Sequence, residues 1–201
     1  MTTRSEWTEY YDEHEGREPR EMLLEVLDAF GAGEERSAVD LGCGSGIDTL
    51  AMLRRGWRGF AVDAEEEAIE RVRRRVPGTL TSRLTTAVSR MEDVELPTGS
   101  VDLVWASFSL FFCRPNAFAD VWRRIREAIA PGGRFGGELL GERDTWAPED
   151  DISAFTREQA VALFDGFEVE RFDEEEEDGS ATSGDKHWHL FHAVARTPKS
   201  A

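Results

Sequence analysis

Three glycines at alternate positions interrupt the short apolar run VDLGCGSGID, residues 39–48. They are Gly42, Gly44 and Gly46, and glycine is the residue that lets a backbone take left-handed dihedral angles and approach another group closely. In an α/β protein, the loop that follows a strand in this way is a common ligand site. Its ligand could be the pyrophosphate of a dinucleotide, another phosphate, or a molecule without phosphate.

The spacing of these glycines disfavours a phosphate. A dinucleotide fingerprint, G-x-G-x-x-G, needs a glycine where this chain has Ile47, and the third glycine stands one position earlier. A Walker loop needs Gly-Lys-Ser/Thr after the glycines, and that sequence does not follow. Asp48, just past the loop, would repel a bound phosphate. The loop is therefore predicted to hold a ligand without phosphate.

Two carboxylates stand at the ends of predicted strands, where ligands of α/β sheets bind. Asp40 ends the first strand and Asp63 ends the second. A carboxylate has two acceptor oxygens, so Asp63 could accept from two neighbouring hydroxyls of a sugar. The alternative is that Asp40 holds backbone N–H groups of its loop and that Asp63 caps the following helix.

Strands and helices alternate along most of the chain, which predicts right-handed crossovers and a mostly parallel sheet covered on both faces. The apolar patterns predict strands at residues 37–42, 57–63, 84–88, 100–107 and 134–140, the last entered through a turn at 131–133. They predict helices at residues 18–31, 47–55, 65–76 and 117–130.

The pattern changes near the C-terminus. A helix begins at Thr156, which forms a capping box with Gln159. Two strands, 167–172 and 187–195, then follow without a helix between them, so they are expected to pair antiparallel. The polar residues 173–186 are predicted to be the connecting loop, with the acidic run 173–178 at its solvated end.

The glycine loop resembles the first motif of the class I S-adenosylmethionine (SAM)-dependent methyltransferases. The stretches VDAEEEAIE, MEDVELPTGSVDLVWAS and AIAPGGRF resemble the later motifs in the same order. ASFSLFFCRP, GERDTWA and KHWHLFHAVAR resemble the small tellurite-resistance-type group. The resemblance implies a Rossmann-like, doubly wound α/β sheet of seven strands, whose last strand is antiparallel.

The resemblance also implies one domain over residues 1–201. Residues 1–33 would form an N-terminal flap and helix, 34–142 the SAM-binding core, and 143–196 a C-terminal helix and β-hairpin. The residues that correspond to SAM ligands of the family are Tyr11, Asp40, Gly42, Gly44, Gly46, Asp63, Ala64, Met91, Glu92, Ala106 and Phe108.

In this assignment Asp40 faces the SAM amino group, Asp63 the ribose, and Met91 and Glu92 the adenine. The family often has Asp one position before Met91, where this chain has Arg90. In the flap, Tyr10 or Tyr11 could face the sulfonium through a cation–π contact, and Arg17 or Arg20 could pair with a carboxylate. The alternative for this segment is a solvated helix.

The reaction implied is an in-line displacement that needs a base only when the nucleophile carries a proton of high pKa. No catalytic residue is assigned. The segment after the fourth strand, ASFSLFF, lacks the NPPY type of motif, which favours a small-molecule acceptor. Residues proposed for its pocket are Phe111, Phe112, Arg143 and His189, although core packing is an alternative for the phenylalanines. The rival functions are SAM binding without turnover and an NAD-linked oxidoreductase.

The histidines of KHWHLFH raise the question of a metal site. Strand alternation places His187 and His189 on one face and His192 on the other. Only two of them could share a metal, and neither carboxylate nor cysteine spacing completes a site. No metal is predicted.

Composition restricts the partners and the compartment. The formal net charge is −17, which makes nucleic acid an unfavourable partner. Neither a signal peptide nor a membrane span is predicted, and two cysteines form no disulfide framework, so a cytoplasmic protein is expected. All but two of the 24 basic residues are arginine. The acidity indicates either adaptation to high salt or a GC-rich genome with an incidentally acidic surface.

Overall fold

The computed structural model describes residues 4–31, 35–182 and 184–199. The helices are α1 (Arg4–Glu13), α2 (Glu21–Ala29), α3 (Ile47–Arg54), α4 (Glu66–Arg75), α5 (Pro115–Ala128) and α6 (Arg157–Ala162), with short 3-10 helices at Gly78–Arg83 and Leu110–Phe112. The strands are β1 (Ser37–Leu41), β2 (Arg58–Asp63), β3 (Leu84–Val88), β4 (Val101–Ala106), β5 (Ile129–Gly141), β6 (Ala154–Phe155), β7 (Glu168–Ala181) and β8 (Gly184–Arg196).

One sheet contains all of these strands, in the order β3-β2-β1-β4-β5-β8-β7. The pairings from β3 to β5 are parallel, whereas β8 is antiparallel to both of its neighbours. The two-residue β6 pairs with the end of β5 as an eighth strand, which the sequence pattern does not reveal. The mostly parallel sheet with a reversed last strand is confirmed.

The core lies on both faces of this sheet, as predicted. On one face, α5 packs Phe118, Trp122 and Ile125 against Phe135 of β5. On the other, α2 and α3 pack against Trp105 of β4. Strands buried on both faces read as continuous apolar runs, which is why β1 and β4 are easily found in the sequence. Because β1 to β5 run parallel, their carboxyl ends meet at one edge of the sheet.

One predicted helix start near these elements is confirmed, and two predicted boundaries change. The capping box of Thr156 and Gln159 is present, with the Thr156 hydroxyl accepting from the Gln159 N–H at 3.2 Å. The helix predicted from residue 18 begins at Glu21, after Pro19. The predicted turn at 131–133 lies within β5, where the pairing with β4 shifts register.

The predicted loop at 173–186 is wrong. The strands β7 and β8 pair from Glu168 with Arg196 to Ala181 with Gly184, so most of the acidic stretch is strand. The run is polar because β7 is an edge strand, and charges on an edge strand prevent further pairing. Its carboxylates also contact basic residues, among them His187 across the hairpin and Arg143 just after β5.

Candidate functional site

The loop between β1 and α3 requires its glycines. Gly42, Gly44 and Gly46 have φ values of 72°, 51° and 79°, in the left-handed region. A Cβ atom on Gly42 would lie 2.3 Å from the Cβ of Ser109, and one on Gly46 would lie 2.7 Å from a methyl group of Val72. Packing under the loop therefore excludes any side chain at these two positions.

Asp63 supports the glycine loop from the end of β2. Its Oδ2 accepts from the Gly44 N–H at 2.9 Å, and its Oδ1 accepts from the Glu65 N–H at 3.0 Å. Burial raises the pKa of Asp63 above its ordinary value. The capping alternative thus describes the local contacts, while a carboxylate oxygen keeps a second lone pair for a ligand hydroxyl. Ala64 lies in the chain between Asp63 and Glu65, just before α4.

Asp40 is buried at the end of β1 and accepts from the Thr49 hydroxyl at 2.5 Å. Burial, followed by the charge of Asp48, raises the pKa of Asp40 to about 7. A buried carboxylate with one hydroxyl donor has capacity to accept from a cation. Asp40 therefore has the chemistry predicted for binding an amino group.

Asp48 has a structural role that the sequence reasoning missed. Its Oδ1 accepts from the Arg17 guanidinium at 3.0 Å and from the Arg20 N–H at 3.1 Å. Its Oδ2 accepts from the indole N–H of Trp105 at 3.1 Å. Asp48 thus fixes the segment between α1 and α2 beside the glycine loop. The signal available in the sequence was the pair of arginines upstream of an aspartate in the first turn of a predicted helix.

Helix α1 covers the glycine loop. Tyr11 is only 3% exposed, and its ring lies 3.6 Å from the place of a Cβ on Gly44. Burial, with the charge of Asp63, raises the pKa of Tyr11. Ion pairs from Arg71 to Asp12 at 2.7 Å and from Arg75 to Glu15 at 2.6 Å hold the helix and the turn after it against α4. The Tyr11 side of α1 is therefore packed rather than solvated.

The residues predicted near the adenine follow β3. Glu92 accepts from the Arg90 guanidinium at 3.1 Å and from the Arg114 N–H at 3.3 Å. Burial acts to raise the pKa of Glu92, but these hydrogen bonds outweigh it and the pKa is lowered. The Met91 carbonyl accepts from Arg124 at 3.2 Å. Arg90, the departure from the family pattern, thus pairs with Glu92.

The end of β4 contains strained backbone and unpaired polar atoms. Phe108 follows the buried Ala106 and is non-glycine with a φ of 50°. The Arg20 guanidinium carbon lies 4.2 Å from the centre of the Phe108 ring. Arg20 Nε and Ser107 Oγ are buried without a hydrogen-bond partner. A ligand that offers both acceptor and donor groups would satisfy these atoms, as SAM does with its carboxylate and amino group.

Glu138, which the sequence reasoning also missed, holds the Phe108 backbone in place. Glu138 on β5 is 2% exposed and accepts from the Phe108 N–H at 2.9 Å. Nδ1 of His192 lies 3.5 Å from this carboxylate, and its Nε2 lies 2.9 Å from Glu175. The hydrogen bond with Glu138 raises the pKa of His192. The signal in the sequence was a single carboxylate inside an apolar strand.

The residues predicted for the acceptor pocket divide into two groups. Phe111 is a core residue at 1% exposure, whereas Phe112 is half-buried. Arg143, just after β5, lies beside His189 of β8 instead. The His189 ring is buried, and its Nδ1 accepts from the Arg143 N–H at 3.2 Å.

Glu174, Glu176 and His189 bring ligand atoms within 4.8 Å of one another, a grouping that the sequence reasoning overlooked. The Arg143 guanidinium fills its centre, with Nη2 at 3.0 Å from Glu174 and 2.7 Å from Glu176. The same Nη2 lies 3.1 Å from Nε2 of His189. A cationic side chain therefore already lies where a metal ion would bind.

The sheet order, the reversed β8 and the glycine loop after β1 define the class I methyltransferase fold. Residues 38–133 match the family model described as a methyltransferase domain. This segment of the chain belongs to the methyltransferase-domain family, in agreement with the resemblance to the class I SAM-dependent methyltransferases.

Curated relatives agree with this assignment. The chain is 33% identical over 145 residues to the malonyl-[acyl-carrier protein] O-methyltransferase of Halorhodospira halophila, covering 67% of this chain and 47% of that protein. It is 33% identical over 106 residues to the carboxy-S-adenosyl-L-methionine synthase of Erwinia tasmaniensis, covering 50% and 42%. The chain thus spans about half the length of the curated relatives it matches.

Solved structures share the fold. TehB from Haemophilus influenzae superposes with a TM-score of 0.75 at 13% identity, covering 96% of this chain and 67% of that one. The 1,6-didemethyltoxoflavin-N1-methyltransferase of Burkholderia thailandensis, solved with S-adenosylhomocysteine, gives 0.69 at 20% identity, covering 98% and 87%. Among the described residues, no helix is long and apolar enough to cross a membrane.

Proposed function

We propose that this protein transfers the methyl group of SAM to a small-molecule acceptor. One observation carries the proposal: the Gly44 N–H of the strained glycine loop donates a hydrogen bond to Asp63. Both residues lie inside the segment that matches a methyltransferase domain. Strong negative charge also supports a small acceptor, because it repels nucleic-acid phosphates.

The described residues fit SAM at this edge of the sheet. Asp40 would accept from its amino group, Arg20 would pair with its carboxylate, and Asp63 would accept from its ribose hydroxyls. Glu92 and the backbone at Met91 would border the adenine. When bound, SAM supplies an activated methyl group on a sulfonium centre.

The chain's own contribution is position and the exclusion of water. The glycine loop and the fixed backbone at Phe108 set where the donor lies, and α1 covers the loop with Tyr11. Holding two reactants in line supplies most of the acceleration that a displacement of this kind needs. Glu138 contributes by fixing Phe108, so it is a positioning residue.

A second candidate function is a use of SAM without methyl transfer. The observation that favours this alternative is that three of the curated relatives are carboxy-S-adenosyl-L-methionine synthases. It covers both a modification of SAM itself and a binding protein that does not turn over.

Calorimetry with SAM, S-adenosylhomocysteine and NAD tests the donor. We expect binding of the first two and none of NAD. Incubation with methyl-labelled SAM and a panel of thiols, selenite, tellurite and carboxylates, and in parallel with RNA and with protein, then tests the transfer. Label found only in added RNA or protein would contradict a small-molecule acceptor. Conversion of SAM to a heavier derivative, with no label transferred to an acceptor, would support the alternative.

The proposal includes a cytoplasmic location and adaptation to high salt. Cys43 and Cys113 are both free and buried, as is usual in a reducing compartment. Dense surface carboxylates with few lysines are the second support, since net charge far from zero keeps a protein soluble.

A further inference from the structure

Five half-buried aromatic side chains form a continuous wall beside the donor loop; we call them the aromatic wall, and its members are Trp7, Phe108, Phe112, Trp146 and Trp188. Successive ring centres are 5.1 Å apart from Trp7 to Phe112, then 5.9 Å to Trp146, 5.5 Å to Trp188 and 6.0 Å to Phe108. These separations are those of interacting aromatic pairs.

The wall is continuous with the proposed donor site at both ends. Phe108 follows the end of β4, and the Arg20 guanidinium beside it is the group proposed for the SAM carboxylate. At the other end, Trp7 belongs to α1, the same helix that places Tyr11 over Gly44. An acceptor lying on the wall would therefore be next to the methyl group.

Cations already occupy ring faces of the wall from the protein side. The Lys186 ammonium lies 3.5 Å from the ring centre of Trp146 and 4.2 Å from that of Trp188. Its side chain is 1% exposed and is paired with the buried Asp144 carboxylate. Asp144 also accepts from the Trp146 N–H at 2.9 Å. This buried pair fixes both indoles.

The arrangement selects the charge of the acceptor. An aromatic face attracts a cation through its quadrupole, and here the rings of Trp146, Trp188 and Phe108 are already polarised toward Lys186 and Arg20. They are poorly suited to hold a second cation. Positive charge beside the rings instead favours an anionic ring on the wall over a neutral or cationic one.

The wall itself offers no base. Its members are tryptophan and phenylalanine, which have no group that takes a proton at neutral pH, and the buried Glu138 beside it accepts from the Phe108 N–H at 2.9 Å and lies 3.5 Å from His192. No residue of the wall would therefore activate a neutral amine. An acceptor that arrives already ionised needs no base.

From these observations we infer that the acceptor is a planar aromatic thiol or activated phenol that reacts as its anion. The inference rests on the proposed methyl transfer. The acceptor S–H or O–H first loses its proton to water. The lone pair of the anion then forms a bond to the methyl carbon while the bond from methyl to the sulfonium breaks. That bond's electron pair stays on sulfur, which leaves as a neutral thioether.

The test compares thiophenol with two probes of similar size, cyclohexanethiol and N-methylaniline, using methyl-labelled SAM. Cyclohexanethiol lacks the aromatic ring, and N-methylaniline lacks the anion. Because an aliphatic thiol is a weaker acid than thiophenol, the rates of the two thiols are compared per thiolate at the assay pH. We expect kcat/KM for thiophenol to exceed that of either probe by at least about tenfold, the discrimination that a few aromatic contacts supply.

The variant Trp188→Leu tests whether the aromatic wall causes the preference for thiophenol. It should lower kcat/KM for thiophenol roughly five- to tenfold and leave SAM affinity by calorimetry unchanged, while Trp188→Phe should restore most of the loss. The matched control is Phe167→Leu. Phe167 is also half-buried, and the Arg126 guanidinium carbon lies 4.7 Å from its ring centre. Its ring packs against the core beneath α5, away from the aromatic wall. This variant should behave as the parent protein.

The outcomes separate this inference from the proposed function. SAM binding with equal or better transfer to cyclohexanethiol, N-methylaniline, selenite or tellurite would overturn the aromatic acceptor and keep methyl transfer. SAM binding with transfer to none of the probes would also overturn it. Failure to bind SAM would overturn the proposed function itself.

Discussion

Asp63 Oδ2 accepts a hydrogen bond from the Gly44 N–H at 2.9 Å, which ties the end of one parallel strand to the loop that follows its neighbour. The same carboxylate accepts from the Glu65 N–H through its other oxygen. One side chain thus orders the glycine loop and the start of α4 together. A ligand that binds this carboxylate would couple directly to the shape of the loop.

The first prediction separates the two uses of Asp63. Asp63→Ala should weaken SAM binding by about 10- to 100-fold, because hydrogen bonds to charged groups contribute about 1.5–3 kcal/mol each. Competition by adenosine and by 2′,3′-dideoxyadenosine isolates the ribose contact. The parent protein should prefer adenosine and the variant should not. A preference that survives in the variant would leave Asp63 with its loop-supporting role alone.

The second prediction concerns the backbone of the loop. Gly42→Ala should abolish measurable SAM binding and lower the free energy of unfolding by roughly 2–4 kcal/mol, since its Cβ would overlap Ser109 and its φ is 72°. Gly78→Ala is the control, because nothing lies within 4 Å of its Cβ position. Calorimetry and urea unfolding measure both effects. Equal behaviour of the two variants would contradict the tight loop.

The third prediction uses the pKa of Asp40, which burial raises to about 7. If Asp40 accepts from the SAM amino group, only its ionised form binds well, so SAM affinity should rise as pH increases from 6 toward 8. Below pH 7, binding should release a proton, seen by calorimetry in buffers of different ionisation enthalpy. Asp40→Asn should remove this dependence. A flat profile in the parent protein would count against the assignment.

The fourth prediction concerns His192, whose pKa is raised by its hydrogen bond with Glu138. A raised folded-state pKa means that the stabilisation is fully present below the unfolded value, about 6.5, and is lost as pH rises through the folded value. The free energy of unfolding should therefore fall with increasing pH above about 6.5.

Urea unfolding at a series of pH values measures this slope. His192→Gln and Glu138→Gln should each flatten it. His187→Gln is the comparison. Hydrogen bonds with Asp178 and Glu176 raise the pKa of His187 too, but its side chain is 38% exposed, so solvent screening should make its share of the slope the smaller one. A slope that is unchanged in His192→Gln would show that other groups cause it.

The elements that the sequence predicted well are those whose signal is local. An apolar run such as β1, the left-handed glycines and the capping box at Thr156 each depend on neighbouring residues alone. The features that were missed depend on pairing across the fold. Glu138 meets Phe108 only because β4 and β5 are adjacent, and the acidic stretch becomes strand only because β8 is its partner.

The same reason explains the missed cluster on the hairpin. Glu174 and Glu176 look like solvated charges in the sequence, and the register of β7 with β8 brings them to His189 and Arg143. Asp48 likewise looked like a repulsive group until the packing of α3 under the N-terminal segment gave it Arg17 as a partner. Long-range register and packing decide these contacts, and spacing along the chain does not show them.

The last prediction tests adaptation to salt. With a net charge of −17, screening of like charges should raise the melting temperature at first in any case, because the Debye length falls to about 3 Å at 1 M salt. Adaptation to high salt predicts a further rise between about 1 and 3 M KCl, where screening is nearly complete. Thermal melts in KCl over this range measure it. A plateau above about 1 M would instead support an incidentally acidic surface.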